Sequence, residues 1–151
     1  MTTRKPAETP HLLEPRHCVM SHLHRTARVV SRIYAEEMRP AGLGRSQFTI
    51  LNVLASVPGI SVTALADRLA MERTTLARNL KPLERSAMIE RRAEPADARQ
   101  VLLVTTAAGK RKLKQARAYW RRAQQRLIRE FGEERWVRLE TELQALRGAA
   151  R

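Results

Sequence analysis

The sequence predicts a mainly α-helical fold that contains one short β-hairpin. Three observations carry this prediction. Apolar residues recur at three- and four-residue steps over most of the chain, two short helical segments follow one another almost directly, and the charged segment RRAEPADARQVLLV (residues 91–104) has no helical period. The 151 residues suffice for one domain with its own core. We therefore expect a single subunit over residues 12–151 behind a polar, flexible arm at residues 1–11.

The first predicted helix starts near Leu12 and ends before Pro40. Its apolar stripe consists of Met20, Leu23, Ala27, Val30, Tyr34 and Met38. Two glycines in AGLGRS (residues 41–46) then break the pattern. A second helix follows from about Ser46 and stops at VPG. Its inward-facing residues are expected to be Phe48, Leu51 and Leu54.

Residues 61–87 hold two more predicted helices with almost no linker. We expect Thr63 to cap the first through its hydroxyl, and a break falls at about Met71 and Glu72. The second has an apolar repeat of Leu76, Leu80, Leu83 and Ala87. Pro82 predicts a bend or an end to this helix, because a proline inside a helix removes a hydrogen bond. Two short helices around a tight turn form a helix-turn-helix.

A β-hairpin is predicted directly after this motif. Its strands lie near residues 89–93 and 100–104, and Pro95 suits the turn between them because its φ angle is already fixed. A helix-turn-helix followed by a hairpin is a winged helix-turn-helix, which we assign to residues 44–105.

Long amphipathic helices flank this lobe, at residues 12–39 and 107–149. Apolar residues that mark their inner faces in the C-terminal half are Leu113, Trp120, Leu127, Trp136, Leu139, Leu143 and Leu146. These faces exceed what the central lobe needs for its own core. They are therefore expected to be dimerisation helices that pack against a second copy of the chain in a symmetric homodimer.

The charge balance points to a polyanionic partner. The chain has 29 Lys and Arg against 15 Asp and Glu, a net charge of +14. No segment has the roughly 20 apolar residues of a membrane span, nor a secretory signal at the start, so we expect a cytoplasmic protein. Aromatic residues make up only 4% of the chain, which argues against stacking on single strands and favours double-stranded DNA.

Catalysis is not expected. The sequence offers no glycine-rich phosphate loop, no array of metal ligands and no nucleophile paired with a base, so neither an enzyme nor a cofactor is predicted. A nonspecific nucleic-acid-binding structural protein is the alternative that charge alone permits.

The second helix of the helix-turn-helix has a basic outer face. A rotation of about 100° per residue places Thr74, Arg78, Lys81 and Arg85 opposite its apolar repeat. An arginine such as Arg78 can bond the O6 and N7 atoms of guanine in a major groove, and Thr74 can contact phosphate or a thymine methyl. The flanking candidates are Arg73, Thr75 and Asn79. A solvated surface is the alternative interpretation.

The hairpin carries a second DNA-binding candidate. Asp97 and Arg99 lie two residues apart in an extended strand, so both side chains point to the same side. Asp97 can then direct Arg99 into a minor groove, where narrow width concentrates negative potential. The alternative is a surface ion pair that contributes at most about 1 kcal/mol.

These residues resemble the MarR family of bacterial winged-helix repressors. The resemblance covers SVTALADRLAMERTTLARNLKPLERSAMIERRAEPADARQVLLVTTAAGK (residues 61–110), with its L-x-x-L-E-R-x-x-x-I-x-R-R run, its Asp-x-Arg wing and its T-x-x-G helix opening. It implies interlocking terminal helices in a dimer, recognition helices in successive major grooves and Arg99 in a minor groove. One departure is Ala87, where the family commonly has a glycine that lets the helix end in a left-handed turn.

The resemblance leaves the controlling signal open, because members respond to phenolic or aromatic carboxylates, to oxidants through a cysteine, or to metals. The segment RHCVMSHLHRTAR (residues 16–28) concentrates histidine and arginine around the only cysteine. We expect a small organic anion as effector, with Arg25 or Arg45 pairing with its carboxylate. The predicted effector-binding residues are Cys18, His22, Arg25, Arg45 and Phe48. Oxidation of the thiol, supported by a tyrosine such as Tyr34, and metal binding by Cys18 and His22 are the alternatives.

Overall fold

The computed structural model describes residues 9–94 and 97–150, apart from the side chains of residues 97–99. The helices are α1 (Val19–Met38), α2 (Arg45–Leu54), α3 (Val62–Leu69), α4 (Arg73–Arg85), α5 (Ala107–Phe131) and α6 (Glu133–Ala149). The strands are β1 (Ile60–Ser61), β2 (Ile89–Glu94) and β3 (Asp97–Thr105). The predicted fold class, mainly helical with a small hairpin wing, is confirmed. The chain divides into two compact units, Met1–Ile33 and Tyr34–Arg151.

In the first unit, α1 begins later than the sequence predicts. Two short 3₁₀ helices, Pro10–Leu13 and Pro15–His17, precede it, and Cys18 has an extended backbone before Val19. The reason is that each proline fixes its own φ and disfavours helical geometry in the residue before it. The apolar stripe is largely exposed here, since Met20 and Leu23 keep 59% and 38% of their surface.

The core of the second unit forms where the helices surround the small sheet. Its fully buried large side chains are Met38, Ile50, Leu51, Leu54, Leu65, Leu76, Leu80, Leu83, Leu103 and Leu113. Phe48 stacks on Trp120, with ring centroids 6.1 Å apart, and so joins α2 to α5. The periodicities of α2, α4 and α5 therefore predicted their buried faces correctly.

The predicted cap of α3 is wrong by two residues. Ser61 is the N-cap, and its hydroxyl accepts a hydrogen bond from the backbone N–H of Ala64 at 3.2 Å. Thr63 lies inside the first turn of the helix, where its hydroxyl is not in the capping position. The helix ends at Leu69, and Ala70 takes a left-handed backbone with φ of 48°.

Helix α4 continues past Pro82 to Arg85, so Pro82 does not end it. The exit is a left-handed turn at Ala87, whose φ is 52°. The N–H groups of Ala87 and Met88 bond the carbonyls of Glu84 and Leu83, both at 2.9 Å, which is the Schellman arrangement. Ala87 is thus exposed beyond the helix and does not continue its buried repeat.

The hairpin forms as predicted, and a third strand joins it. The strand order is β1-β3-β2, and both pairings are antiparallel. Arg91 pairs with Leu103 and Ala93 with Val101 before an irregularity at Glu94. The predicted turn at Pro95 lies outside the described residues. The two-residue strand β1 was not predicted.

The T-x-x-G opening of α5 joins this helix to the end of α4. Thr106 accepts a hydrogen bond from the N–H of Gly109 at 3.1 Å and donates one from its hydroxyl to the carbonyl of Ala87 at 2.6 Å. The N–H of Thr106 bonds the Met88 carbonyl at 3.1 Å. A Cβ at Gly109 would lie 2.1 Å from that carbonyl oxygen, so only glycine allows this close approach.

Helix α6 follows Gly132 and buries no side chain fully. Leu139 and Leu146, on its predicted apolar face, keep 36% and 38% of their surface. No helix in the described part of the chain combines the length and apolar character needed to cross a bilayer.

Candidate nucleic-acid interface

The outer face of α4 has the geometry of a surface that reads DNA. Thr74, Arg78 and Lys81 are all exposed, while Leu76 and Leu80, on the opposite side, keep at most 1% of their surface. None of the three exposed side chains forms an ion pair or hydrogen bond within the part of the chain that the structure describes. Their donors are therefore available to a ligand in solution.

The start of α4 adds backbone donors to this face. Its N-cap residue, Glu72, makes no side-chain capping bond, and the first turn contains no acidic residue. Arg73 is exposed at the first helical position. The first N–H groups of a helix and the positive end of its dipole favour phosphate, so this end of α4 is suited to a DNA backbone.

Two of the predicted DNA-binding residues lie at the margin of this face. Thr75 and Asn79 are half-buried, and the Asn79 side-chain amide donates to the Thr75 carbonyl at 2.8 Å. This bond occupies one of the two amide hydrogens. Asn79 thus keeps one donor and its acceptor for a base, whereas Thr75 offers little free surface.

The wing candidates are only partly described. Asp97 and Arg99 belong to β3, but their side chains lie outside the described residues. The base of the wing is described. There, the Arg91 guanidinium donates to a Glu84 carboxylate oxygen at 2.7 Å, which fastens β2 to the last turn of α4. Arg92 pairs with Glu90 on the same strand.

Arg91 and Arg92 were absent from the residues predicted for the site. The signal that could have identified them was the R-R pair that closes the L-x-x-L-E-R-x-x-x-I-x-R-R run. Its glutamate is Glu84, seven residues before Arg91. The spacing alone could not predict this ion pair, because it depends on where the left-handed turn after α4 directs β2.

The predicted effector residues of the first unit are exposed. Cys18, His22 and Arg25 all face solvent, and a ring nitrogen of His22 lies 2.9 Å from the Arg16 carbonyl oxygen. Hydrogen bonds from the side chain and backbone of Ser21 lower the pKa of the Cys18 thiol. Cys18 is a free, exposed thiol in the single chain.

The other effector candidates belong to the second unit. Arg45 is exposed at the first position of α2, and Phe48 is a core residue that keeps 6% of its surface. The Tyr34 hydroxyl donates to the Gln124 side chain, and burial raises its pKa. In the described residues no three His, Cys, Asp or Glu side chains are grouped so that they could hold a metal ion.

Comparison with known proteins agrees with this architecture. A model of the MarR family matches residues 41–100. The HTH-type transcriptional regulator YwoH of Bacillus subtilis (strain 168) is 25% identical over 116 residues, which cover 77% of this chain and 84% of YwoH.

Two solved structures of similar proteins contain DNA. The transcriptional regulator MosR of M. tuberculosis, in complex with DNA, is 33% identical with a TM-score of 0.77 over 88% of this chain and 96% of MosR. The transcriptional repressor CouR, bound to a 23-mer duplex, is 26% identical with a TM-score of 0.77 over 93% of this chain and 97% of CouR.

Proposed function

The chain belongs to the MarR family of DNA-binding transcriptional regulators, and we propose that it is a homodimeric repressor that a small aromatic or phenolic carboxylate releases from a pseudo-palindromic operator. The observation that carries the DNA-binding part is the exposed outer face of α4, whose cations have no partner among the described residues.

In this proposal α4 reads the major groove. Arg78 bonds guanine, Thr74 contacts phosphate or a thymine methyl, and Asn79 uses its remaining donor and acceptor for a base edge. The phosphate contacts come from Arg73 and Lys81, together with the first backbone amides of α4, whereas the half-buried Thr75 offers little surface to DNA.

The wing acts beside the recognition helix. Arg99 enters the neighbouring minor groove, and Asp97 fixes the direction of its guanidinium. The bond between Glu84 and Arg91 supports this arrangement, because it ties the base of the wing to the recognition helix.

A second copy of the chain covers the exposed apolar residues of the terminal helices. Met20, Leu23, Leu139 and Leu146 each keep 36% or more of their surface in the single chain. Burying such side chains stabilises an interface by about 25 cal/mol per Å² of apolar area. A symmetric dimer would also place two recognition helices about one helical turn, roughly 34 Å, apart on DNA.

The proposed effector is an organic anion because the candidate residues include one exposed arginine in each of the two units. Arg25 and Arg45 are both exposed and offer bidentate partners for a carboxylate. His22 can hydrogen-bond a ring substituent. Phe48 is buried and stacks on Trp120, so its ring is not free to contact the effector. Its role in this proposal is to hold α2 in position.

Oxidant sensing is the second candidate, and one observation favours it. Cys18 is exposed and its thiol pKa is lowered, which are the conditions under which a cysteine reacts. Tyr34 does not strengthen this candidate, because its hydroxyl is bonded to Gln124.

Specific binding is tested by titrating salt against binding to the operator and to random duplex of equal length. The operator is first selected from random sequence with the purified protein. We expect the selected site to be palindromic and to bind at least about 10³-fold more tightly than random duplex at physiological salt. Equal affinities at every salt concentration would refute a specific regulator and favour a nonspecific nucleic-acid-binding protein.

The signal is tested by measuring operator release by aromatic carboxylates and by peroxide, with the wild type and Cys18→Ser. Release by a carboxylate in both proteins is the expected result. Release by peroxide that the substitution abolishes would replace the organic anion with the oxidant. The matched variant Arg25→Gln should weaken release by a carboxylate while leaving operator affinity without effector unchanged.

A further inference from the structure

Helix α5 carries far more positive charge than its place in the core requires. Nine of the 29 cationic residues lie on it, against one acidic residue, Glu130. The recognition helix α4 has four cations. Of the nine, Arg126 is paired, at 3.6 Å from Glu37 and 3.4 Å from Glu130. The other eight make no ion pair within the described residues, so most of the charge on α5 is not neutralised there.

Four of these cations form a continuous line on the helix surface. The α5 stripe consists of Lys110, Lys114, Arg117 and Arg121, and all four are exposed. Steps of four, three and four residues keep them within about 60° of one another around the helix axis. None is in an ion pair within the described residues, and Arg117 donates to the neutral Asn52 side chain at 2.9 Å.

The α5 stripe begins at the base of the wing. Lys110 lines a cleft of about 520 Å³ together with Arg92 of β2 and residues at the end of α2. Glu90 lines the same cleft but is already paired with Arg92. The α5 stripe thus starts next to the base of the wing, at the neutral pair of Arg92 and Glu90.

The dimensions and surroundings of the stripe fit duplex DNA. From Lys110 to Arg121 the helix rises about 16.5 Å, which corresponds to about five phosphates along one strand at 3.4 Å each. A membrane surface would require exposed apolar side chains beside the cations. None of the large apolar residues exposed in the described chain belongs to α5.

We infer that the α5 stripe is a second DNA contact, which binds the phosphates of the duplex outside the segment that α4 and the wing cover. The contact is electrostatic and independent of sequence, so it lengthens the DNA segment held by each subunit without changing which operator is chosen. This inference rests on DNA binding by the family and not on the proposed effector or on repression.

The test compares two duplex lengths and two variants. The short duplex has 23 base pairs, as in the CouR complex, and the long one adds about 10 random base pairs at each end, twice what the stripe spans. Lys110→Gln/Lys114→Gln removes two charges from the stripe. Arg111→Gln/Arg129→Gln removes two exposed charges from another face of the same helix and is the matched control.

The measured quantity is the slope of log binding affinity against log salt concentration. A longer duplex offers more overlapping binding sites, which raise the affinity but do not change this slope. We expect the wild type and the control to have a steeper slope on the long duplex. Compared with the wild type, the stripe variant should have a slope that is shallower by about 1.8 per subunit on the long duplex. On the short duplex the two slopes should be nearly equal. Thermal unfolding of all three proteins at one concentration verifies that the variants are folded.

Two results would overturn the inference. One is a stripe variant whose slope on the long duplex equals that of the wild type. The other is an equal loss in the control variant, which would mean that only net charge matters. Both results leave specific binding by α4 untouched, since the selected operator is tested separately.

Discussion

Gly109→Ala is expected to destabilise the protein although alanine is the better helix former. Gly109 lies in the first turn of α5, against the backbone that leaves α4. The new Cβ would lie 2.1 Å from the Met88 carbonyl oxygen and 2.8 Å from the Thr105 methyl carbon. An ordinary C···O contact is about 3.3 Å, so the two segments would have to separate by roughly 1 Å.

The clash outweighs the gain in helix propensity. Overpacking of this kind costs about 1 to 3 kcal/mol, and alanine returns at most about 1 kcal/mol in a helix. Separation also stretches the bond from the Thr106 N–H to the Met88 carbonyl, now 3.1 Å, which is worth about 1 kcal/mol. We therefore expect the free energy of unfolding to fall by about 1 to 3 kcal/mol.

The assay is urea unfolding at one fixed protein concentration, because the proposed dimerisation would make stability depend on concentration. Gly148→Ala is the matched control, since nothing lies within 4 Å of its Cβ position in α6. The control should be neutral or stabilising by up to about 1 kcal/mol. If Gly109→Ala is as stable as the wild type, the close approach between α5 and Met88 is not a constraint on the fold.

Three further changes test separate parts of the structure. Ala87→Gly should raise the free energy of unfolding by about 0.5 to 1 kcal/mol, because glycine removes the strain of a φ of 52°; a lower urea midpoint would contradict this. Arg99→Ala should weaken binding to the proposed operator by about 1 to 3 kcal/mol and leave the proposed dimer intact, whereas unchanged binding would make the wing purely structural. Ser21→Ala should raise the pKa of the Cys18 thiol, so that alkylation below the ordinary thiol pKa becomes slower; an unchanged pH profile would rule out this hydrogen bond.

Periodicity predicted the parts of the fold that are long enough to repeat. The apolar steps of α4 and α5 identified their buried faces because a helix returns to the same side every 3.6 residues. The two-residue strand β1 has no period to detect, and it exists only because Ile60 and Ser61 pair with Leu103 and Leu102. A partner so distant in sequence cannot be inferred from the segment itself.

The wrong predictions for the start of α3 and the end of α4 both depend on local hydrogen bonds. Ser61 and Thr63 are both capping residues by type, and the choice depended on the strand that places Ser61 at the helix entrance. At Ala87 the family resemblance called for glycine. The left-handed turn forms with alanine nevertheless, because the bonds of Ala87, Met88 and Thr106 fix the chain there.

The sequence predicted one part of the candidate site and missed another. The exposed face of α4 could be predicted, because a side chain opposite a buried repeat must face outward. The contact between Glu84 and Arg91 could not, because it joins two elements across a turn whose geometry the sequence leaves open.

The apolar stripe of α1 shows that periodicity does not predict whether a face is buried. Periodicity predicted one stripe through Met20, Leu23 and Met38, but Met20 and Leu23 are exposed in the first unit and Met38 is buried in the second. A repeat indicates which side chains share a face, and what covers that face depends on the rest of the molecule. Apolar residues of α1 and α6 stay exposed in the single chain, and burying them is the role given to the second copy of the chain in the proposed dimer.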